Sequence, residues 1–159
     1  MKITIMQPYF FPYIGYFQLI NAVDKFILYS NLTYIKKGWI NRNRILLKIG
    51  DIYNIIVPLK KVSSKKLICD ILIDNTTNWN TKLLNDIFFN YKKSEYFNAV
   101  YSVIEKLLLE KFDFLYELNA KIIIDIINYL EVNTIIEYQM QNKYFELEDK
   151  LNKVNFNDY

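Results

Sequence analysis

The first thirty residues constrain the fold most. A short β-branched apolar run, Lys2–Met6, ends at Gln7-Pro8. A stretch of helical character, Phe11–Val23, follows, and a second apolar run, Lys25–Tyr29, closes the series. Strand, loop, helix and strand in that order predict a parallel βαβ unit, because parallel neighbours need a crossover and a helix is the usual one. Within the helical stretch Ile14, Phe17, Leu19 and Ala22 recur at roughly helical spacing, and Pro12 falls near the first turn, where proline is tolerated.

After a loop at 30–38, Ile40–Ile49 and Ile52–Leu59 read as a β-hairpin. Gly50-Asp51 is the expected two-residue turn of type II′. Leu67–Ile73 reads as a further strand whose wet face carries Asp70 and Asp74. The basic segment 60–66 reads as a solvated loop. The second half is helical. Asn75, Thr76 or Asn78 is expected to cap a helix bearing Leu83, Leu84, Ile87, Phe88 and Tyr91 on one face. A second helix carries Phe97, Val100, Tyr101, Ile104, Leu107 and Leu108, and a third Leu115, Leu118, Ile122, Ile126 and Leu130. Thr134–Tyr138 is a further strand and Tyr144–Lys153 a short polar helix. The expected class is α/β: a mixed sheet opened by the parallel unit, a hairpin at 40–59 and a helical second half. With 159 residues and no linker, one domain is expected.

Two absences restrict the chemistry. The chain has no histidine and one cysteine, Cys69. Ser-His-Asp and Cys-His mechanisms are excluded within it, as are histidine-based zinc sites and intrachain disulfides. No metal or cofactor is assigned. Proton transfer falls to Asp, Glu, Lys, Tyr or Cys, and no catalytic residue is named. Cys69, with nothing near it in sequence to lower its pKa, reads as an inert thiol. Trp79 reads as a core residue. There is no signal-peptide pattern and no apolar run long enough to span a membrane, so the expected location is the cytoplasm.

Two clusters stand out. Gln7 to Phe17 sets two prolines, a glycine and several aromatics where a strand gives way to a helix. Lys36 to Arg44 packs four cations, amides and Trp39 into nine residues. Ligands of parallel units collect at strand carboxyl ends, and a helix start offers free N–H groups to an anion. Gly15 permits close approach of a ligand or a neighbouring strand. Arginine offers a fork for phosphate or carboxylate, and an indole stacks on a ring. If residues 40–49 form a strand, Asn41 and Asn43 face one way, Arg42 and Arg44 the other. The expected ligand is an anionic small molecule held against an aromatic wall.

The stretches Met6–Phe17, Asp24–Phe26 and Tyr34–Ile45, with Val57-Pro58, Trp79 and Tyr91–Phe97, resemble the WbqC-like proteins of bacteria over most of residues 3–130. The resemblance implies a role in surface-polysaccharide or O-antigen biosynthesis, with transfer of an acyl or aminoacyl group to a nucleotide-linked amino sugar. The implied partner is a nucleotide sugar or an activated acyl donor, and a partner protein is a further candidate. By match to the motif, the substrate-binding candidates are Gln7, Pro8, Gly15, Lys36, Trp39, Asn41, Arg42 and Asn43.

The chain departs from the family pattern. Tyr29-Ser30-Asn31 lacks the acidic residue that follows the second strand in relatives, and Thr33 replaces a glutamine. Relatives also run well beyond 159 residues, so the chain reads as a short or C-terminally truncated member. These departures keep open a non-catalytic nucleotide-sugar-binding or regulatory module. A second alternative is an RNA or single-stranded DNA binder, since the 34–44 block mixes cations with rings; the net charge of only +3 speaks against it.

Overall fold

The computed structural model describes residues 1–63 and 65–139. The opening unit forms as expected. Strand β1 (Ile3–Met6), helix α1 (Ile14–Asn21) and strand β2 (Lys25–Tyr29) follow one another, with Ile3 beside Lys25 and Met6 beside Leu28 in parallel register. Strand β5 (Ile135–Gln139) adds in parallel to the other edge of β2, giving the order β1-β2-β5. Phe26 and Leu28 of the central strand are buried, as the alternation of a sheet requires.

Strands β3 (Arg42–Leu46) and β4 (Ile52–Ile56) pair antiparallel as a separate two-stranded sheet, so the mixed character comes from two sheets, one parallel and one antiparallel. The hairpin is shorter than residues 40–59, and its turn differs from the expected one. Gly50 N–H donates to Leu47 C=O, Leu47 N–H donates to Asp51 C=O, and Gly50 has φ +91°. Glycine therefore occupies the positive-φ position that closes a three-residue loop, rather than the first centre of a two-residue turn.

The expected strand at 67–73 is a correction. Ile68–Asp70 is a 3-10 turn, and Thr33↔Leu67, Leu59↔Ile73 and Leu72↔Phe114 are isolated bridges. Buried Ile68 and Ile71 lie three apart, the spacing of that turn. Ile71 and Ile73 alone keep the two-residue alternation that suggested a strand. The backbone groups bond outward to separate loops: Cys69 N–H to Ser30 C=O and Ile73 N–H to Asp113 C=O.

Helix α1 starts at Ile14, later than expected, and it buries Tyr16, Phe17 and Ile20, leaving Ile14 outside. Helices α2 (Trp79–Tyr91), α3 (Phe97–Leu109) and α4 (Leu115–Tyr129) fill the second half. Asn78 precedes α2 but makes no side-chain cap. Trp79 packs against the core, as expected. The expected helix at 144–153 lies outside the described residues.

The core has two parts, and α4 serves both. Leu115, Leu118 and Ile122 pack with Phe10, Ile40, Val57, Ile68 and Leu107. Ala120, Ile123 and Ile127 pack with Tyr16, Ile20, Phe26 and Leu28. Each fully buried leucine or isoleucine contributes about 1.5–3 kcal/mol of transfer free energy, which makes the 15-residue α4 the central scaffold. Among the described residues no helix is long and apolar enough to cross a membrane.

Candidate functional site

The two sequence clusters are brought together by backbone carbonyls that side-chain amides satisfy. Phe10 N–H donates to Trp39 C=O at 3.1 Å. Asn43 Nδ2 donates to Phe10 C=O at 3.1 Å and also to Phe11 C=O. Asn119, fully buried on α4, donates from Nδ2 to Pro8 C=O at 2.9 Å and to Ile40 C=O at 2.7 Å. Both of its partners are acceptors, so the orientation of this amide is fixed. Phe11 has φ +45°, a conformation a non-glycine residue rarely holds and one that costs on the order of 1–3 kcal/mol. The Asn43 bond to its carbonyl helps hold it there.

The expected site residues divide between frame and surface. Pro8 is buried, and its carbonyl is spent on Asn119. Gln7 follows β1, half-buried, and its carbonyl accepts from Tyr16 Oη at 2.9 Å. Burial pushes the Tyr16 phenol far above its ordinary pKa, and neighbouring Tyr9 and Tyr138 add to the rise. Asn41 is buried, accepting from Tyr34 Oη at 2.8 Å and donating to Val57 C=O at 3.0 Å. The Tyr34 pKa is raised by burial, with the Arg42 charge opposing. Asn41 and Asn43 thus hold the frame. Gly15 is the second residue of α1, and a Cβ there would meet the exposed ring of Tyr13, not a strand.

Lys36 is exposed and Trp39 half exposed, with the Arg44 guanidinium 5.1 Å from the indole centroid. Arg42 Nη2 donates to Lys37 C=O, bracing the turn in which Lys37 has φ +65°. Arg42 Nε is buried without a hydrogen-bond partner, as is Asn119 Oδ1. An unpaired buried donor and an unpaired buried acceptor at the two ends of this frame are unusual, since such groups are ordinarily satisfied.

A cleft of about 380 Å³ opens between the hairpin and the corner of α2 and α3. Phe11, Asn43, Arg44, Ser94, Glu95 and Tyr96 border it. Phe11 comes from the first cluster, Asn43 and Arg44 from the second, and the others from 91–97. Gln7, Pro8, Gly15, Lys36, Trp39, Asn41 and Arg42 do not border it. The corner is fastened to the hairpin: Leu46 N–H donates to Tyr91 Oη at 3.0 Å and Lys48 N–H to Asn90 Oδ1 at 2.8 Å. Aliphatic and aromatic side chains such as Ile45, Ile87, Phe97 and Ile104 make most of the wall. Burial raises the phenol of Tyr101 on the same wall, with Glu105 adding to the rise.

Glu95, Ser94 and Asn119 were not singled out from sequence. Membership of the 91–97 stretch was the signal for the first two. An amide beside Leu118 on an apolar helical face was the signal for the third. Burial, with Asp70 adding, raises the Cys69 thiol above its ordinary pKa, which disfavours the thiolate a nucleophile needs. Among the described residues no three His, Cys, Asp or Glu side chains gather as metal ligands.

A parallel β-α-β opening, an amide-braced 8–43 frame and a cleft at the 91–97 corner are the setting of the resembling stretches. The WbqC-like protein family model matches residues 7–155, and the chain belongs to that family. It is similar to the uncharacterized protein Rv1507c of Mycobacterium tuberculosis (strain ATCC 25618 / H37Rv), at 34% identity over 135 residues. That match covers 84% of this chain and 58% of the relative, so the chain spans little more than half the length of that protein. No solved structure matches it.

Proposed function

We propose that this chain acts in surface-polysaccharide or O-antigen biosynthesis. In this reading it binds a nucleotide-linked amino sugar and transfers an acyl or aminoacyl group to the sugar amine in the cytoplasm. The observation that supports the reading is the convergence on one cleft of Phe11, Asn43-Arg44 and Ser94–Phe97, from the stretches that carry the family pattern. Arg44, exposed on the cleft border, is the cation for phosphate, and Trp39, outside the border but with its indole centroid 5.1 Å from the Arg44 guanidinium, is the ring for stacking.

In the transfer, the amine nitrogen attacks the activated carbonyl. A C–N amide bond forms, and the bond to the leaving group breaks with its electron pair going to that group. The carboxylate bordering the cleft, Glu95, is the group assigned to the amine proton. Positioning and electrostatics supply the remainder of the rate enhancement.

A non-catalytic binding role is the second reading. It is favoured by the commitment of the Asn41 and Asn43 amides to internal bonds, which leaves cations and an indole, groups suited to holding an anion. Incubation with UDP-linked amino sugar and acyl-coenzyme A or aminoacyl donors, read by mass spectrometry, separates the two. An amide-mass product that disappears in Glu95→Gln supports transfer; binding with no product leaves the module. Absence of both product and binding defeats either reading.

A further inference from the structure

The hairpin is covered on one face only. Strand alternation and the pairings Arg44↔Asn54 and Leu46↔Ile52 turn Asn43, Ile45, Tyr53 and Ile55 toward the core and the helices. The other face presents Arg42, Arg44, Leu46, Ile52, Asn54 and Ile56, and the turn adds Lys48 and Ile49. The four aliphatic side chains among them are between 55% and 80% exposed. None of the four borders the cleft beside α3. Leu46, Ile49 and Ile52 gather at the turn end, with the Arg44–Asn54 pair between them and Ile56, and an exposed apolar cluster of this kind marks an interaction surface.

Charge narrows the partner. From Ile35 to Ile56 the chain carries five cations, Lys36, Lys37, Arg42, Arg44 and Lys48, against one carboxylate, Asp51; the whole chain is nearly balanced at 20 to 17. A second copy docked face to face would set Arg44 and Lys48 against like charges. A nucleic acid would need rings for its bases, and neither the outward strand positions nor the turn tip carries an aromatic side chain. Aliphatic side chains ringed by cations suit a surface that is apolar below and anionic above.

We propose that the outer face of the β3–β4 hairpin docks on an anionic lipid bilayer at its turn end, with Leu46, Ile49 and Ile52 entering the headgroup boundary and Lys48 meeting lipid phosphates. Apolar burial and cation attraction add in such peripheral binding. The docking is independent of the acyl-transfer reading: it uses the face of the hairpin turned away from that cleft.

Co-sedimentation with vesicles of phosphatidylglycerol and phosphatidylcholine, against phosphatidylcholine alone, tests it on the 159-residue chain. The protein is expected to sediment with the anionic vesicles only and to be released by added salt. Lys48→Ala weakens binding about fivefold, the ~1 kcal/mol that a cation contributes near such a surface. The double variant Ile49→Asp, Ile52→Asp abolishes binding, while Ile14→Asp, changed at a 70% exposed residue on α1, retains it. All of these residues are exposed, and circular dichroism confirms folding. Equal binding to both vesicle types, binding retained by the double variant, or none to either overturns the proposal. So does a lipid-free dimer, seen by sedimentation velocity, that the double variant dissociates, or oligonucleotide binding lost in that variant.

Discussion

Asn119 Nδ2 donates to Pro8 C=O at 2.9 Å across 111 residues of sequence, and the same nitrogen reaches Ile40 C=O. One buried amide therefore fixes the distance between the loop after β1 and the basic block. Replacing it with leucine leaves two buried carbonyls without a donor. Each such loss costs on the order of 1–3 kcal/mol, so Asn119→Leu is expected to lower unfolding free energy by roughly 2–6 kcal/mol. Urea denaturation measures this. A change within about 0.5 kcal/mol, the usual range for exposed sites, would mean the amide is not the brace described.

The glycines at 15 and 50 answer differently to alanine. Gly50 holds φ +91° in open space, so the cost is backbone strain, about 1–2 kcal/mol. A Cβ at Gly15 meets only the exposed Tyr13 ring, which can swing aside. Gly15→Ala is therefore expected to be neutral or to stabilise by up to about 1 kcal/mol, the helical advantage of alanine. Thermal denaturation of both variants is the check, and a marked loss in Gly15→Ala contradicts the account.

Asp74 accepts from Thr76 Oγ1 at 2.6 Å and from Thr76 N–H at 3.1 Å in the turn that leads to α2. These bonds, the hydroxyl's first, hold its pKa below the ordinary 3.8, with Lys60 assisting. A depressed carboxylate pKa stabilises the fold above the unfolded value, and the benefit is lost as pH falls from about 4 through the folded value. NMR titration of the Asp74 carboxyl should show a midpoint below 3.8. Thr76→Val should move it upward; an unmoved midpoint would remove the hydroxyl from the explanation.

Local signals carried the β-α-β opening well. KFILY, an apolar run closed by Ser30, gives β2 with the expected bounds, and Thr134–Tyr138 anticipates β5 within a residue at each end. What tertiary contacts decide was less legible. LICDILI has strand composition, yet its backbone partners lie on separate loops, so it folds as a 3-10 turn with bridges. Asn41 and Asn43 read as ligand-facing amides because alternation puts them on one face. It does not reveal that this face turns inward to the Val57, Phe10 and Phe11 carbonyls. Glu95 lay unread at a helix corner because only three dimensions bring it to the same cleft as Arg44.

The most direct test is an amide and indole NMR titration with a UDP-linked amino sugar. Coupled shifts at Phe11, Arg44, Ser94–Phe97 and the Trp39 indole N–H, saturating with one dissociation constant and weakened about tenfold or more in Arg44→Ala by loss of a charged hydrogen bond, are the predicted result. Saturating shifts confined to residues away from that cleft, or no shifts at all, would contradict the claim that these segments form one binding site.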